Sequence, residues 1–233
     1  MERIEVLYES PEYVICVKPA GVLSQQGKPG EETMISLLEA QLGGAVFPVH
    51  RLDRETGGVM AYARTSAAAA ELSRLIQQGR MDKEYLAVLK GVPAEPEGVL
   101  EDILFHDSRR NKSYVVKRLR KGARQAKLCY RVLDVQAGEA LVQVRLFTGR
   151  THQIRVQFSS RGLPLRGDRT YGGGGGELCL WACRLTLRFK DGTNQSIFRL
   201  PEQLGRYKQF PPLTGLPEGA VGEKVLDKPD LMQ

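Results

Sequence analysis

Short segments rich in β-branched and aromatic residues recur along this chain, and they constrain its architecture more than any other feature. IEVLYE (4–9), YVICVK (13–18), EYLAVLKG (84–91), SYVVKRL (113–119), AKLCYRVLDV (126–135), ALVQVRLF (140–147), LCLWACRLTLRF (178–189) and QSIFRL (195–200) alternate or run apolar, as strands do. DGTN at 191–194 and AGE at 137–139 join neighbouring segments as hairpin turns. Helices are fewer. Thr33 to Gln41 is one candidate and Ser66 to Gln78 a better one. In the latter, Ala68, Leu72, Leu75 and Ile76 make one apolar face, with Thr65 or Ser66 as N-cap and Gly79 as stop. Many strands, few helices and no βαβα alternation predict an α+β fold: a largely antiparallel mixed sheet with a few flanking helices. At 233 residues, a single domain over 1–204 is expected. A loosely packed extension over 205–233 follows, containing Pro211, Pro212, Pro217 and Pro229.

Hydrophobic residues at 42% suffice for a sizeable core, and no stretch approaches the roughly 18 apolar residues of a membrane span. Glu2, Arg3, Glu5 and Glu9 argue against a signal or transit peptide at the N-terminus, so a cytoplasmic monomer is expected. The formal net charge is +7. Its distribution is uneven. Arg109, Arg110, Lys112, Lys117, Arg118, Arg120, Lys121 and Arg124 fall in one segment that contains no acid. Such a run is either a solvated loop or a surface for a polyanion. The four cysteines and three histidines lack metal-site spacing, and Cys179 and Cys183 read as reduced core residues. The Gly172–Gly176 run is not a G-x-G-x-x-G turn, so neither a metal nor a cofactor is expected.

Three places are candidates for chemistry. In VFPVHRLDRETGGV (46–59), Val46, Val49 and Leu52 support a strand ending near Asp53, followed by a Gly-rich loop. A carboxylate flanked by Arg51 and Arg54 stays ionised and suits nucleophilic or electrostatic work, or is a salt-bridged surface acid. GRTHQIRVQF (149–158) reads as a strand through Ile154, Val156 and Phe158, or as a helix through Thr151, Ile154 and Phe158. On the helical reading Arg155 enters a partly apolar face and needs an anion, with Asp53 the natural candidate, unless it snorkels to solvent. Tyr85 in DKEYLAVLKG is either a core tyrosine or a stacking platform for a base.

Together these segments resemble a family. HRLDRETGG is similar to the HRLD-x-x-T-S-G signature of RluA-type RNA pseudouridine synthases. KEYLAVLKG, GRTHQIRVQ, GLPLRGDRTYGG and the opening EYVICVKPAGVLSQQG resemble further segments of that family, in its order, over about residues 7–200. The chain departs from the pattern at Gly57 (usually Ser), Gln157 (usually His) and in LCLWACRL (usually L-x-L-H-A-x-x-L). No counterpart of the N-terminal S4-type RNA-binding domain of many relatives is expected.

The resemblance implies conversion of uridine to pseudouridine in ribosomal or transfer RNA, without metal or cofactor. Asp53 would be the essential carboxylate, with Arg155 opposing the upward pKa shift of burial. Tyr85 would stack on a flipped uracil, and Arg51 would fill the space the base leaves. The segment from Arg109 to Lys121 would bind phosphates, and Arg150 and His152 would contact RNA. Two other readings compete. One is a metal-dependent RNA phosphodiesterase using His50, Asp53 and His152; the other is a non-catalytic RNA-binding module.

Overall fold

The structure, a computed structural model, describes residues 3–201 together with Tyr207 and Phe210. The extension predicted over 205–233 therefore lies outside the described residues, apart from those two side chains, which are buried. In chain order the elements are β1 (Val6–Glu9), β2 (Tyr13–Lys18), α1 (Met34–Leu42), β3 (Phe47–Pro48), β4 (Gly57–Ala63), α2 (Ser66–Gln77), β5 (Met81–Leu89), β6 (Glu97–Asp107), β7 (Lys112–Val116), β8 (Ala123–Gln136), β9 (Glu139–Leu146), α3 (Gln153–Ser159), β10 (Leu180–Arg188) and β11 (Asn194–Phe198). Strands dominate and most pairings are antiparallel, as the α+β reading expects. The described residues gather into two compact units: one up to residue 83 and from 180 to 201, the other from 84 to 179 with Tyr207 and Phe210.

In the first unit the strand order is β1-β2-β4-β10, with β3 on β4 and β11 on β10. YVICVK pairs antiparallel with β4, Ile15 opposite Ala61 and Lys18 opposite Gly58. The apolar stripe of α2 (Ala68, Leu72, Leu75) packs with Ile15, Val59, Leu185 and Leu187. Each fully buried leucine there contributes about 2 kcal/mol of apolar transfer. Thr65 caps α2, its hydroxyl accepting from the Ala68 amide at 3.1 Å. DGTN turns β10 into β11, with Gly192 at φ 86°.

In the second unit the order is β5-β9-β8-β6-β7. Ile103 of β6 faces both Val116 of β7 and Gln125 of β8, so the connection over 117–122 crosses from one side of β6 to the other. Helix α3 lays Val156 against Leu104, Ala126 and Tyr171. The AGE turn joins β8 to β9 with Ala137 and Gly138 at φ 52° and 76°.

Two sequence expectations are corrected and one open choice is decided. The strand expected to end near Asp53 shrinks to Phe47–Pro48. Pro48 offers no amide to a ladder, and beyond it the His50 ring, not backbone, meets β4: Nε2 accepts from the Ala61 amide at 3.0 Å. Asp53 and Arg51 therefore lie in irregular chain. The Gly-rich loop at 57–58 is instead the start of β4, wholly buried. Glycine is required there by crowding: a Cβ on Gly58 would sit 2.2 Å from the Ala182 carbonyl oxygen, and its φ is 125°. Finally, 153–159 is helical and the strand alternative fails. Strand β6 is absent from the sequence reading, because its alternation places an acid on each face (Glu101 and Asp102).

Candidate functional site

In the first unit the candidate carboxylate sits on a segment fastened from both sides. Upstream, Leu52 exchanges two hydrogen bonds with Ser24: its amide donates to Oγ at 3.0 Å and its carbonyl accepts from Oγ at 2.8 Å. Tyr62 in turn donates to the Ser24 carbonyl at 2.6 Å. Downstream, Thr56 donates to the Asp53 carbonyl at 3.0 Å, closing a turn. The Gly21 amide donates to the Arg54 carbonyl at 2.7 Å, and Arg54 Nε returns a bond to the Gly21 carbonyl at 2.9 Å. Asp53 itself is half-buried, while Arg51 is exposed.

The apolar strand YVICV delivers Lys18 into this segment. Its side chain is fully enclosed, and Nζ donates to the carbonyls of Pro19 (2.8 Å), Val22 (2.7 Å) and Arg54 (3.1 Å). One ammonium thus ties the KPAGV turn to the backbone next to Asp53. Burial lowers the Lys18 pKa to about 7, against the opposing pull of the Asp53 carboxylate. The sequence points to Arg51 and Arg54 as the cations of Asp53, whereas the structure adds Lys18. Arg54 instead reaches Glu31 at 3.3 Å. A lysine at the end of an apolar strand, followed by Pro-Ala-Gly, was the available signal. His50 is held neutral, its pKa lowered to about 3 by burial and by the charge of Lys83.

The second unit holds the remaining candidates. Tyr85 lies in β5 and is buried, as are Glu84 and the residues through Leu89. Arg155, on α3, is 3% exposed and pairs with the fully buried Asp168 by a two-pronged contact: Nε to Oδ2 at 2.7 Å and Nη2 to Oδ1 at 2.9 Å. The anion that a partly apolar helix face demands is thus met by Asp168 of RGDRTYG, which the sequence reading did not single out in that role. Asp168 Oδ1 also accepts from the Thr170 and Tyr171 amides at 3.1 and 3.2 Å. Arg155 lies 5.3 Å from the centre of the Tyr171 ring. The Tyr171 hydroxyl accepts from the Ser113 amide at 2.7 Å and lies 3.0 Å from His152 Nδ1.

His152 precedes α3 at φ 56°, an uncommon conformation for a side-chain-bearing residue. Arg150 is exposed, its Nε donating to the Gln125 carbonyl at 2.9 Å. The structure therefore brings His152 and Arg155 together around Tyr171, with Lys112 5.2 Å from the same ring.

The basic segment is a hairpin and a crossing loop rather than one loop. Arg109 and Arg110 occupy the β6–β7 turn, their amides donating to Asp107 Oδ1 at 3.0 and 3.2 Å. Lys117, Arg118, Arg120 and Lys121 are exposed on the β7–β8 connection, where Arg120 lies 4.5 Å from the Phe105 ring centre. Among the described residues, no three His, Cys, Asp or Glu side chains are grouped as metal ligands require. No helix among them is long and apolar enough to cross a membrane.

Comparison with known proteins assigns a family. A family model described as RNA pseudouridylate synthase matches residues 12–160. An uncharacterised RNA pseudouridine synthase of Bacillus subtilis is 32% identical over 181 residues, 74% of this chain and 59% of its own length. The ribosomal large subunit pseudouridine synthase D of Nitrosomonas europaea is 35% identical over 178 residues, 72% of this chain and 50% of its own. The chain thus spans about half to three fifths of the length of these relatives. Among solved structures, human RNA pseudouridylate synthase domain containing 4 shares the fold, with a TM-score of 0.72 at 24% identity over 88% of this chain and 93% of that one. The matched region runs from β2 past Lys18, Asp53 and Tyr85 to the end of α3, taking in Arg155, and the chain belongs to the RNA pseudouridylate synthase family.

Proposed function

We propose that this protein isomerises uridine to pseudouridine within structured RNA, with Asp53 as the essential carboxylate. The observation that carries the reading is the fastening of Asp53: a half-buried acid on a segment bolted through Leu52 to Ser24 and through Arg54 to Lys18 and Gly21. Catalytic groups need such pre-organisation, because a misplacement of about 1 Å costs roughly a hundredfold in rate. In the reaction the N1–C1′ bond breaks, the uracil turns, and a C5–C1′ bond forms. The proton lost from C5 balances the one gained at N1, so no redox partner or cofactor is consumed. Asp53 either attacks C1′ or removes the C2′ proton toward a glycal, and both routes need its ionised form.

A stacked base must leave the helix to be reached. Tyr85 stacks on the flipped uracil and relays the C5 proton, and Arg51 fills the vacated space. Arg150, His152 and the cations from Arg109 to Lys121 bind the RNA, chiefly through phosphates. The substrate class is ribosomal or transfer RNA, in keeping with the names of relatives such as the Nitrosomonas enzyme and the mitochondrial tRNA pseudouridine(32) synthase of Saccharomyces cerevisiae. The protein acts as a monomer in the cytoplasm.

The test is Asp53→Asn, nearly isosteric but neither nucleophile nor base. RNA binding stays within a few-fold, and pseudouridine formation in a transcript falls below detection. Pseudouridine formed by the purified variant would remove Asp53 from its role. The phosphate track has its own test. Replacing Lys117, Arg118, Arg120 and Lys121 by Ala makes the slope of log affinity against log salt shallower by roughly two to four units. An unchanged slope reduces the connection to a solvated turn.

A further inference from the structure

In the second unit, strand alternation splits β6 between two faces of the sheet. Leu100, Asp102 and Leu104 point toward α3, where Leu104 packs with Val156 and Asp102 accepts from Gln157 at 2.7 Å. Glu101, Ile103 and Phe105 point the opposite way. On that outer face Glu101 stands in register with Lys127, and Ile103 with Gln125 and Val116. Phe147, one residue past β9, joins them: its amide donates to the Lys127 carbonyl at 3.1 Å. Its ring centre lies 5.9 Å from Lys127 Nζ and 5.7 Å from Arg145 Cζ.

These side chains line a groove of about 900 Å³. That is ample for a nucleotide on the roughly 300–1,000 Å³ scale of small-molecule sites. Phe147 is 38% exposed, a large aromatic surface left to solvent. Ile103 extends the apolar floor, and the exposed Gln125 offers the amide that a base edge requires. Lys117, where the basic β7–β8 connection begins, is among the lining residues. Glu101 is compensated by Lys127 at 2.7 Å, and Asp102, whose side chain lies on the α3 side, by Arg161 at 2.8 Å. A partly apolar aromatic floor bordered by cations is the arrangement that holds single-stranded nucleic acid.

We propose that this groove is an accessory RNA subsite, in which an unpaired nucleobase stacks on Phe147 on the sheet face opposite α3, apart from the nucleotide that is isomerised. It rests on the RNA-modifying reading above and adds to it a second place where substrate is recognised. Base–aromatic stacking tolerates any base, so the subsite selects RNA with an unpaired nucleotide at the right distance rather than a particular sequence.

The experiment uses the full chain and two probes: hexaadenylate, which contains no uridine, and an abasic hexamer of the same backbone. Phe147→Ala weakens hexaadenylate binding by about 5- to 100-fold and leaves abasic binding within about twofold. Phe147→Leu, apolar but without a π face, loses as much, whereas Phe147→Trp keeps the affinity and its fluorescence is quenched by the bases. Unchanged hexaadenylate affinity in Phe147→Ala, or an equal loss for the abasic probe, overturns the proposal. Pseudouridine formation is scored separately. A wild-type protein that makes none, yet shows Phe147-dependent binding, refutes the isomerase reading and leaves the subsite standing. Normal isomerisation with Phe147-independent binding refutes the subsite alone.

Discussion

Gly57→Ser is the substitution on which this structure makes its sharpest forecast. Serine is the usual residue at this position among RluA-type synthases, yet here it meets an obstacle. A Cβ on Gly57 would lie 2.6 Å from Trp181 Cζ3, 2.9 Å from Cε3 and 3.3 Å from the Lys18 carbonyl oxygen. Gly57 and Trp181 are direct partners across the parallel β4–β10 pairing, and the indole is held by its Nε1–H bond to the Arg199 carbonyl at 2.8 Å. Overpacking of this kind costs about 1–3 kcal/mol. Without the indole, replacing glycine would instead stabilise by about 0.4–1 kcal/mol through the unfolded chain. Trp181 stands where the family usually has histidine, so the two departures from the pattern compensate each other.

The assay is urea unfolding of wild type, Gly57→Ser, Trp181→His and the double variant. The single Gly57→Ser change lowers the unfolding free energy by about 1–3 kcal/mol. Made in the Trp181→His background it is neutral or stabilising, giving a coupling of at least about 1 kcal/mol. Additive effects within about 0.5 kcal/mol, or a Gly57→Ser protein as stable as wild type, would refute the reasoning.

Asp168→Ala strands the buried Arg155 guanidinium and two amides, and it lowers unfolding free energy by about 3–5 kcal/mol. Replacing both partners, Arg155→Met with Asp168→Leu, recovers a measurable part of that loss; a single-variant cost under about 1 kcal/mol would contradict the buried pair. Lys18 links stability to pH. Its pKa falls from 10.5 in the unfolded chain to about 7 in the fold. The unfolded state therefore binds more protons between those values, and stability rises with pH from about 7 toward 10.5. The difference in unfolding free energy between wild type and Lys18→Met, measured from pH 7 to 9.5, grows with pH by up to about 1.4 kcal/mol per unit; a flat difference would show that the ammonium is not desolvated.

The sequence by itself determined the elements whose signal is local. YVICVK, the DGTN and AGE hairpins and the capped stripe of α2 each carry their own periodicity and punctuation, and the structure places them within a few residues of their predicted bounds. The order of the motifs and the clustering of charge from Arg109 to Arg124 were equally legible, because both are properties of the chain rather than of its packing. What needed tertiary structure were the decisions made by distant neighbours. Gly57 and Gly58 read as loop until Trp181 and Ala182 arrive beside them and leave no room for a side chain, which turns the pair into the buried start of β4. The stretch at 149–158 fits both periods, and the helix prevails where Val156 packs on Leu104 and Ala126 while Arg155 finds Asp168. Nothing local to YVICVK marks the Lys18 side chain as buried. Only the convergence of three carbonyls, one from a residue 36 positions away, makes its buried charge tolerable and fixes the backbone next to Asp53.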